Sequence, residues 1–499
     1  MATTRRTLLK LSLGAGAVCV FGGIVPGMRQ LAAATVRVRR NVNNLAPNDP
    51  DLACYRDFVG IMKARPESNR VSWIAFANQH GNNNAFNLCP HGSWYFLPWH
   101  RGYLEMYELA AASLTGNANF AMPYWDWTAL RTLPAAFTDP LYNGQPNPLY
   151  VPTRNTLTGP YALTDSLTGP GVMQSIYAET VFEAFGTSRN PAQNSTDPSW
   201  VPAGGGVQGI LESTPHNNVH DNIGGYMPNP NSPLDPLFMM HHGNIDRIWL
   251  WWNTLGRQNS TDPLWLNMNF LKHYISPQGK FYSRAVKNMR STTNMGYTYD
   301  NLPAKVKSVA ADAVTSEATA AAALSNIRDR NVAALLDPSQ PSNLKRVKKT
   351  KPGIAKLTDP LDVPLTAPGT TLDAVIAGTD TPPNNREVFA VLRDIVMGEN
   401  VNTFRVFINL MEASLDVPDS DPHFVRTVSF LRHTMAGHAG HGGALSTQVN
   451  LTATVRRLAQ AGLLTGDQIT VQIMPVPAPG VAASQVGTVT PGSVEIVFV

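Results

Sequence analysis

The chain predicts a mainly α protein: a four-helix-bundle domain with long loops, followed by a smaller C-terminal β-sandwich domain. Three observations predict it. From residue 52 to about 300, aromatic, small and histidine residues recur at helical spacing, as in Trp73, Phe76, Ala77 and His80 and again in His100, Tyr103, Leu104 and Tyr107. Beyond residue 386, β-branched stretches with partial alternation replace that pattern. The 499 residues, 43% apolar and 15% charged, suffice for two or three domains with sizeable cores.

Taken in order, residues 1–34 read as an export segment. Arg5-Arg6 precedes an apolar run from Leu11 to Val25, and Ala32-Ala33-Ala34 offers small residues for cleavage. That run is shorter than the roughly 20 residues a spanning helix needs, and paired arginines mark the twin-arginine route. The expectation is therefore a periplasmic or extracellular protein without a membrane anchor in its mature form. Residues 35–300 form the helical domain, with Thr128–Pro202, rich in Pro, Asn and Thr, wrapping it as loops. Residues 301–385 read as a linker with local helix (Ala318–Leu324) and a solvated basic run, Lys345-Arg346-Val347-Lys348-Lys349. Residues 386–499 carry strand signals at Phe404–Leu410, Gln468–Met474 and Val494–Val499, and a helix through Leu451, Val455 and Leu458 closed by Gly462.

Charge and cysteine content exclude several classes. The formal charge of +4 falls to zero without residues 1–34, which hold Arg5, Arg6, Lys10, Arg29 and no acid, so nothing points to nucleic acid or a membrane surface. Of three cysteines, Cys19 leaves with the export segment, and Cys54 and Cys89 cannot make a disulfide scaffold. No CxxC occurs, which removes zinc ribbons and thioredoxin-like chemistry.

Seven of the 12 histidines fall in two windows. The first holds His80, His91 and His100, with Cys89 two residues before His91. The second holds His216 and His220, about one helical turn apart, then His241 and His242 on a helix opened by Asp235-Pro236. Facing helices would present three imidazoles from each window to a metal site in the bundle core. Neutral imidazoles suit Zn, Cu, Fe and Ni; the chain has no ExxH for a di-iron carboxylate site and no HExxH for a zinc protease. Three-plus-three imidazole coordination best fits two copper ions that bind O2 between them. Spacing admits either His241 or His242 as the sixth ligand.

The runs Cys89-Pro90-His91-Gly92, Phe96-Leu97-Pro98-Trp99-His100-Arg101, His216-Asn217-Asn218-Val219-His220 and Asp235 through Trp249 resemble the two copper signatures of tyrosinases, catechol oxidases and molluscan hemocyanins. Gly296-Tyr297-Thr298-Tyr299-Asp300 resembles the tyrosine motif that closes that domain, and residues 386–478 resemble, more weakly, the sandwich that follows it in plant enzymes. The resemblance implies His80, His91 and His100 on the first copper and His216, His220 and His242 on the second, with His241 and Asp246 supporting them from behind. It also implies a thioether from Cys89 to His91. Glu212 and Asn217 would orient a water that takes the proton of a phenol, with Asp221 as a second acceptor.

The activity so implied is ortho-hydroxylation of monophenols and oxidation of o-diphenols to o-quinones with O2. Its partners would be phenolic and catecholic small molecules, with a homo-oligomer left open. A catechol oxidase without monophenol activity and a hemocyanin-like oxygen carrier are the alternatives. The C-terminal His423, His433, His438 and His441 read as surface imidazoles, and the domain that carries them can keep related enzymes latent.

Overall fold

The computed structural model describes residues 36–499 apart from 84, 303–326, 338–341, 379–385, 432–444, 465 and 479. The export segment, the Ala-rich piece 318–324 and His433, His438 and His441 lie outside the described residues. No described helix is long and apolar enough to cross a membrane.

Five helices frame the first domain: α1 (Pro50–Lys63), α2 (Trp73–His80), α3 (Phe96–Thr115), α4 (Asn217–Ile223) and α5 (Leu237–Thr254). Their ends follow from local chemistry. Asp49 caps α1 by accepting from Asp51 N–H, with Pro50 at the first position; Ser72 caps α2 through Ala75 N–H; Asp235 receives Leu237 N–H at 2.8 Å to start α5. Gly116 ends α3 in the left-handed conformation, φ 77°. The 20-residue α3 runs through the centre between α1 and α5 and buries nearly every side chain of its first three turns. Trp99, Trp125, Trp127, Trp249, Trp252 and Trp265 are fully buried around it, the aromatic packing the composition foretold.

In sequence, Ser213-Thr214-Pro215 reads as a helix start, a capping hydroxyl followed by Pro at the first position, and the structure differs. Neither Ser213 nor Thr214 caps a helix with Pro215 at its first position. Glu212–His216 form a π-helical turn with Pro215 inside it, which runs directly into α4. Ser213 Oγ donates to Gly209 O at 2.7 Å and Thr214 Oγ1 reaches Thr427 O at 3.3 Å, so both hydroxyls are engaged elsewhere.

A buried charge cluster ties the chain's ends of this domain to its helices. Strand β1 (Arg37–Arg39) runs parallel to β2 (Tyr297–Tyr299). Arg39, fully buried, forks onto Glu108 at 2.9 Å through both Nε and Nη2 and reaches Asp246 at 3.0 Å. Asp246 also accepts from Arg101 Nε, Tyr297 OH and Tyr299 OH, each at 2.6 Å. Burial disfavours the Asp246 charge, but Arg101, Arg39 and the two hydroxyls outweigh it and hold the carboxyl below its ordinary pKa.

The C-terminal domain takes more of the chain than expected. Strands β3 (Lys345–Thr350) and β4 (Leu361–Thr366) and a helix at Thr371–Ile376 lie within the stretch read as a linker. With β5 (Val388–Met397), β6 (Val401–Ile408), β7 (Phe424–Ser429), β8 (Leu445–Asn450), β9 (Gln468–Pro477) and β10 (Ser493–Phe498) they build two antiparallel sheets, ordered β7-β6-β9-β4 and β8-β5-β10-β3, the second joined by Val489–Thr490 on β5. Residues of both sheets, Val363, Leu392, Val406, Val471 and Ile496 among them, share one apolar core. The basic run is therefore an edge strand, where lysines discourage pairing with other chains, and not a linker. Thr452–Gln460 is helical, as the spacing of Leu451, Val455 and Leu458 predicts.

Asp246→Ala should leave Arg39 and Arg101 without their shared carboxylate. We expect a loss of about 3–5 kcal/mol in urea denaturation of the copper-free protein, the usual result of removing one partner from a buried ion cluster.

Candidate metal centre

Each sequence-predicted histidine is placed by a defined element. His80 ends α2, His91 stands on the loop before α3, His100 lies in the first turns of α3, His216 ends the π turn, His220 is in α4, and His241 and His242 are in α5. Among the described residues, the nitrogen and sulfur atoms of His80, Cys89, His91 and His100 converge within 4.8 Å of one another, and so do those of His216, His220, His241 and His242. All eight are buried. The two groups face each other: His100 stacks on His242 with centroids 4.2 Å apart, and His91 lies 5.6 Å from His216.

Hydrogen bonds fix which nitrogen of most rings carries the proton. His80 Nδ1 lies 2.7 Å from Pro230 O, His100 Nδ1 2.8 Å from Phe96 O, His220 Nδ1 2.7 Å from Met227 O and His216 Nδ1 2.8 Å from Asn217 Oδ1. Carbonyl oxygens only accept, so Nδ1 donates in all four, and each Nε2 keeps a bare lone pair. Two of these Nε2 atoms face the Nε2 of a further imidazole, His80 that of His91 at 3.4 Å and His220 that of His242 at 3.2 Å, and His216 Nε2 lacks any hydrogen-bond partner. A lone pair without a partner in a dry site is costly unless a cation takes it, and pinned Nδ1–H groups are the usual support of metal-binding imidazoles. The donor set fits a metal pair.

The same reasoning separates His241 from His242. Trp127 Nε1, which can only donate, gives its proton to His241 Nδ1 at 3.1 Å. The remaining proton of neutral His241 is then on Nε2, and that ring has no lone pair to offer. His273 is held likewise by Trp99 Nε1 at 3.0 Å. Asp246 sits one turn beyond His242, engaged by Arg39, Arg101 and the two tyrosines. It anchors α5 to α3, supporting the ligand helices through Arg39, Arg101, Tyr297 and Tyr299.

Burial sets the protonation of the cluster. It pushes the His100 imidazole down to about 3 and His220 to about 4, and it drives His80, His216 and His242 well below the ordinary histidine value, with neighbouring imidazoles adding to the effect. Burial likewise raises the Glu212 carboxyl to about 8, against the hydrogen bonds it accepts from Thr187 and Gly92. A cation in the cluster would favour its charged form. Glu212 Oε1 accepts Gly92 N–H at 2.9 Å and lies 3.4 Å from His91 Nδ1, and Oε2 accepts from Thr187 Oγ1. Cys89 Sγ stands 3.4 Å from His100 Nε2; burial and Glu212 raise its thiol well above the ordinary value. Phe86, Phe96 and Phe238 pack against the imidazoles with centroids 4.1–4.7 Å from His91, His216 and His242 and exclude water.

The C-terminal domain closes over these residues. Ser429 O accepts from Asn217 Nδ2 at 2.7 Å, and Ser429 Oγ donates to Asp221 at 2.6 Å. Leu431, 3% exposed, packs into the aromatic core of the helical domain. His423 Nδ1 is bonded to Ile408 O at 2.9 Å, away from the centre. Sequence reasoning missed Thr187, Gln208 and Ser429, whose functional contacts are made across the fold or across the two domains; no local pattern marks them.

Two facing sets of neutral imidazoles on helices define a helical dicopper protein. Residues 70–255, which hold both sets of histidines, match the common central domain of tyrosinase, and the donor set fits two copper ions. Tyrosinase HcTyr1 of Hahella sp. (strain CCB-MM4) is 31% identical over 304 residues, 53% of this chain and 63% of that protein. The chloroplastic (+)-larreatricin hydroxylase of Larrea tridentata is 31% identical over 279 residues, 50% and 46% of the respective chains. The chain spans about half to just under two thirds of the length of these curated relatives. In three dimensions it matches latent aurone synthase (TM-score 0.64, 18% identity, 95% of this chain and 91% of that one) and latent apple tyrosinase (0.63, 20%, 94% and 99%), a likeness of fold.

Imidazoles kept neutral below their unfolded pKa of about 6.5 make the unfolded chain the better proton acceptor in acid. The copper-free protein should therefore lose stability as pH falls from about 6.5 toward 4, by about 1.4 kcal/mol per pH unit for each such ring. Thermal melts from pH 8 to 4 check this, and a flat profile would contradict the neutral cluster.

Proposed function

We propose that the protein ortho-hydroxylates monophenols and oxidises o-diphenols to o-quinones with O2, phenolic and catecholic small molecules being its substrates. The observation that carries this is Glu212, a buried carboxylate that opens the π turn ending in His216 and lies 3.4 Å from His91 Nδ1. The reading takes α2 to α5 as the four-helix frame of the centre, with His80, His91 and His100 holding one copper and His216, His220 and His242 the other.

Copper, when bound, supplies the binding of O2 and the oxidation of the phenol ring. The chain's own residues supply the rest. A phenol with a pKa of about 10 must give up its proton, and a carboxylate that a neighbouring cation keeps charged is placed beside His91 to receive it. Glu212 accepts that proton through a water that Asn217 helps orient. Phe86, Phe96 and Phe238 keep the imidazoles dry and rigid. Asp221, turned onto Ser429 here, becomes a second acceptor only once that contact opens. A thioether from Cys89 to His91 would pin a ligand that sits on a loop, and export by the Arg5-Arg6 segment would deliver the protein to the periplasm or outside the cell.

In the copper-loaded protein, Glu212→Gln should lower monophenol kcat by about 100-fold while diphenol kcat changes only a few-fold, the range expected for loss of a general base. Assays with tyrosine and catechol check this. Equal losses would remove Glu212 from the mechanism, and a native protein that turns over catechol alone would be a catechol oxidase.

We further propose that the C-terminal domain keeps the centre closed. Burial of Leu431 in the helical core and the hold of Ser429 on Asn217 support this, as does the likeness to two structures of latent proteins. Introducing a specific protease site in 303–326 and removing the domain should raise diphenol turnover at least tenfold; no gain would count against closure.

A further inference from the structure

We propose that Gln208 is a positioning residue for Glu212 and Asn217, and that the C-terminal domain holds Gln208 in place, so that this domain builds part of the site as well as covering it. The inference rests on the reading of Glu212 as proton acceptor.

A directional chain of polar groups links the two histidine clusters. His216 Nδ1 donates to Asn217 Oδ1 at 2.8 Å, Asn217 Nδ2 donates to Gln208 Oε1 at 3.1 Å, and Gln208 Nε2 donates to Glu212 Oε1 at 3.5 Å, the weakest link. Glu212 Oε1 in turn lies 3.4 Å from His91 Nδ1. Every orientation is forced. His216 fixes Asn217 Oδ1 toward itself, so the Asn217 amide nitrogen must meet an acceptor, and Glu212, in the charged form that a cation in the cluster favours, takes a donor. Only a primary amide offers both an acceptor and a donor at adjacent atoms. A Glu at 208 would set carboxylate against carboxylate, and an apolar residue would take one acceptor from Asn217, leaving it Ser429 O alone, and one donor from Glu212, leaving it Gly92 N–H and Thr187. Gln208, Glu212 and Asn217 are all buried.

The backbone of Gln208 is locked from both sides. On one side it bridges Thr187, whose hydroxyl donates to Glu212, and Ser188 N–H meets Val207 O at 3.0 Å. Gly209, next in sequence, passes so close that an added Cβ would lie 2.5 Å from the carbonyl oxygens of Ala184 and Gly186. On the other side stands the C-terminal domain: Gln208 N–H donates to Ser446 O at 2.8 Å and Thr447 Oγ1 donates to Gln208 O at 3.3 Å. Val207 packs in one apolar cluster with Phe389, Val391 and Val497 of that domain. Gln208 thus stands between two single bridges, to Thr187 and to Thr447 of β8, with its amide between Glu212 and Asn217.

Two consequences are measurable. Gln208→Met keeps the volume and loses the amide; in the full-length, copper-loaded chain it should retain two copper ions and lower monophenol kcat about tenfold, with a much smaller change in diphenol kcat. In the copper-free protein the carboxyl infrared band of Glu212, identified by difference with Glu212→Gln, should shift in Gln208→Met. Thr447→Val, a milder change at the domain contact, should speed hydrogen exchange of the 207–212 peptide without moving copper stoichiometry. An unmoved Glu212 band, or equal loss of both turnovers with two coppers bound, overturns the proposal and leaves Gln208 a packing residue. If Glu212→Gln itself fails to separate the two substrates while the band still shifts, the proton-acceptor reading falls and the positioning geometry stands.

Discussion

The centre depends on imidazoles that are buried, neutral and fixed in tautomer. Four backbone or amide oxygens, those of Pro230, Phe96, Met227 and Asn217, take the Nδ1 protons and turn the Nε2 lone pairs inward. Burial alone makes such a cluster costly, because inward-turned lone pairs such as that of His216 Nε2 find no partner in a dry site. A pair of cations converts that cost into binding energy. Copper therefore belongs to the stability of this domain as well as to its chemistry.

Holding seven histidines in such geometry requires helices that do not slide. The cluster of Arg39, Arg101, Glu108, Asp246, Tyr297 and Tyr299 does this from behind α3 and α5, one turn beyond His242 and next to His100 in sequence. Its two guanidiniums and two carboxylates balance, so the charge is compensated where it is buried. It also uses both edges of the domain's sequence, residues 37–39 and 297–299, so the helical core is closed only when its whole length has been made.

Much of this architecture is legible in the amino-acid sequence. Histidine spacing anticipates that the imidazoles of each window come together, because helical periodicity is a local property of the chain. The choice between His241 and His242 is not legible there, because it is made by the indole of Trp127, 114 residues away. Gln208 and Thr187 carry no signal, since their value lies in contacts across the fold. Lys345–Lys349 looks like linker because an edge strand faces water on one side and reads as charged, while the partner that makes it a strand, β10, lies almost 150 residues on. The π turn at Glu212–His216 is hidden for a related reason: Pro215 signals a helix start, and only the preceding turn reveals that the helix has already begun.

Leu431 sits among the aromatic side chains of the helical domain, Val207 sits among the strands of the other, and a backbone bridge joins them. Parts interlocked in both directions come apart together or not at all, since freeing one leaves the rest still gripping. Such a joint does not loosen by degrees: where the two domains part, they part as a whole.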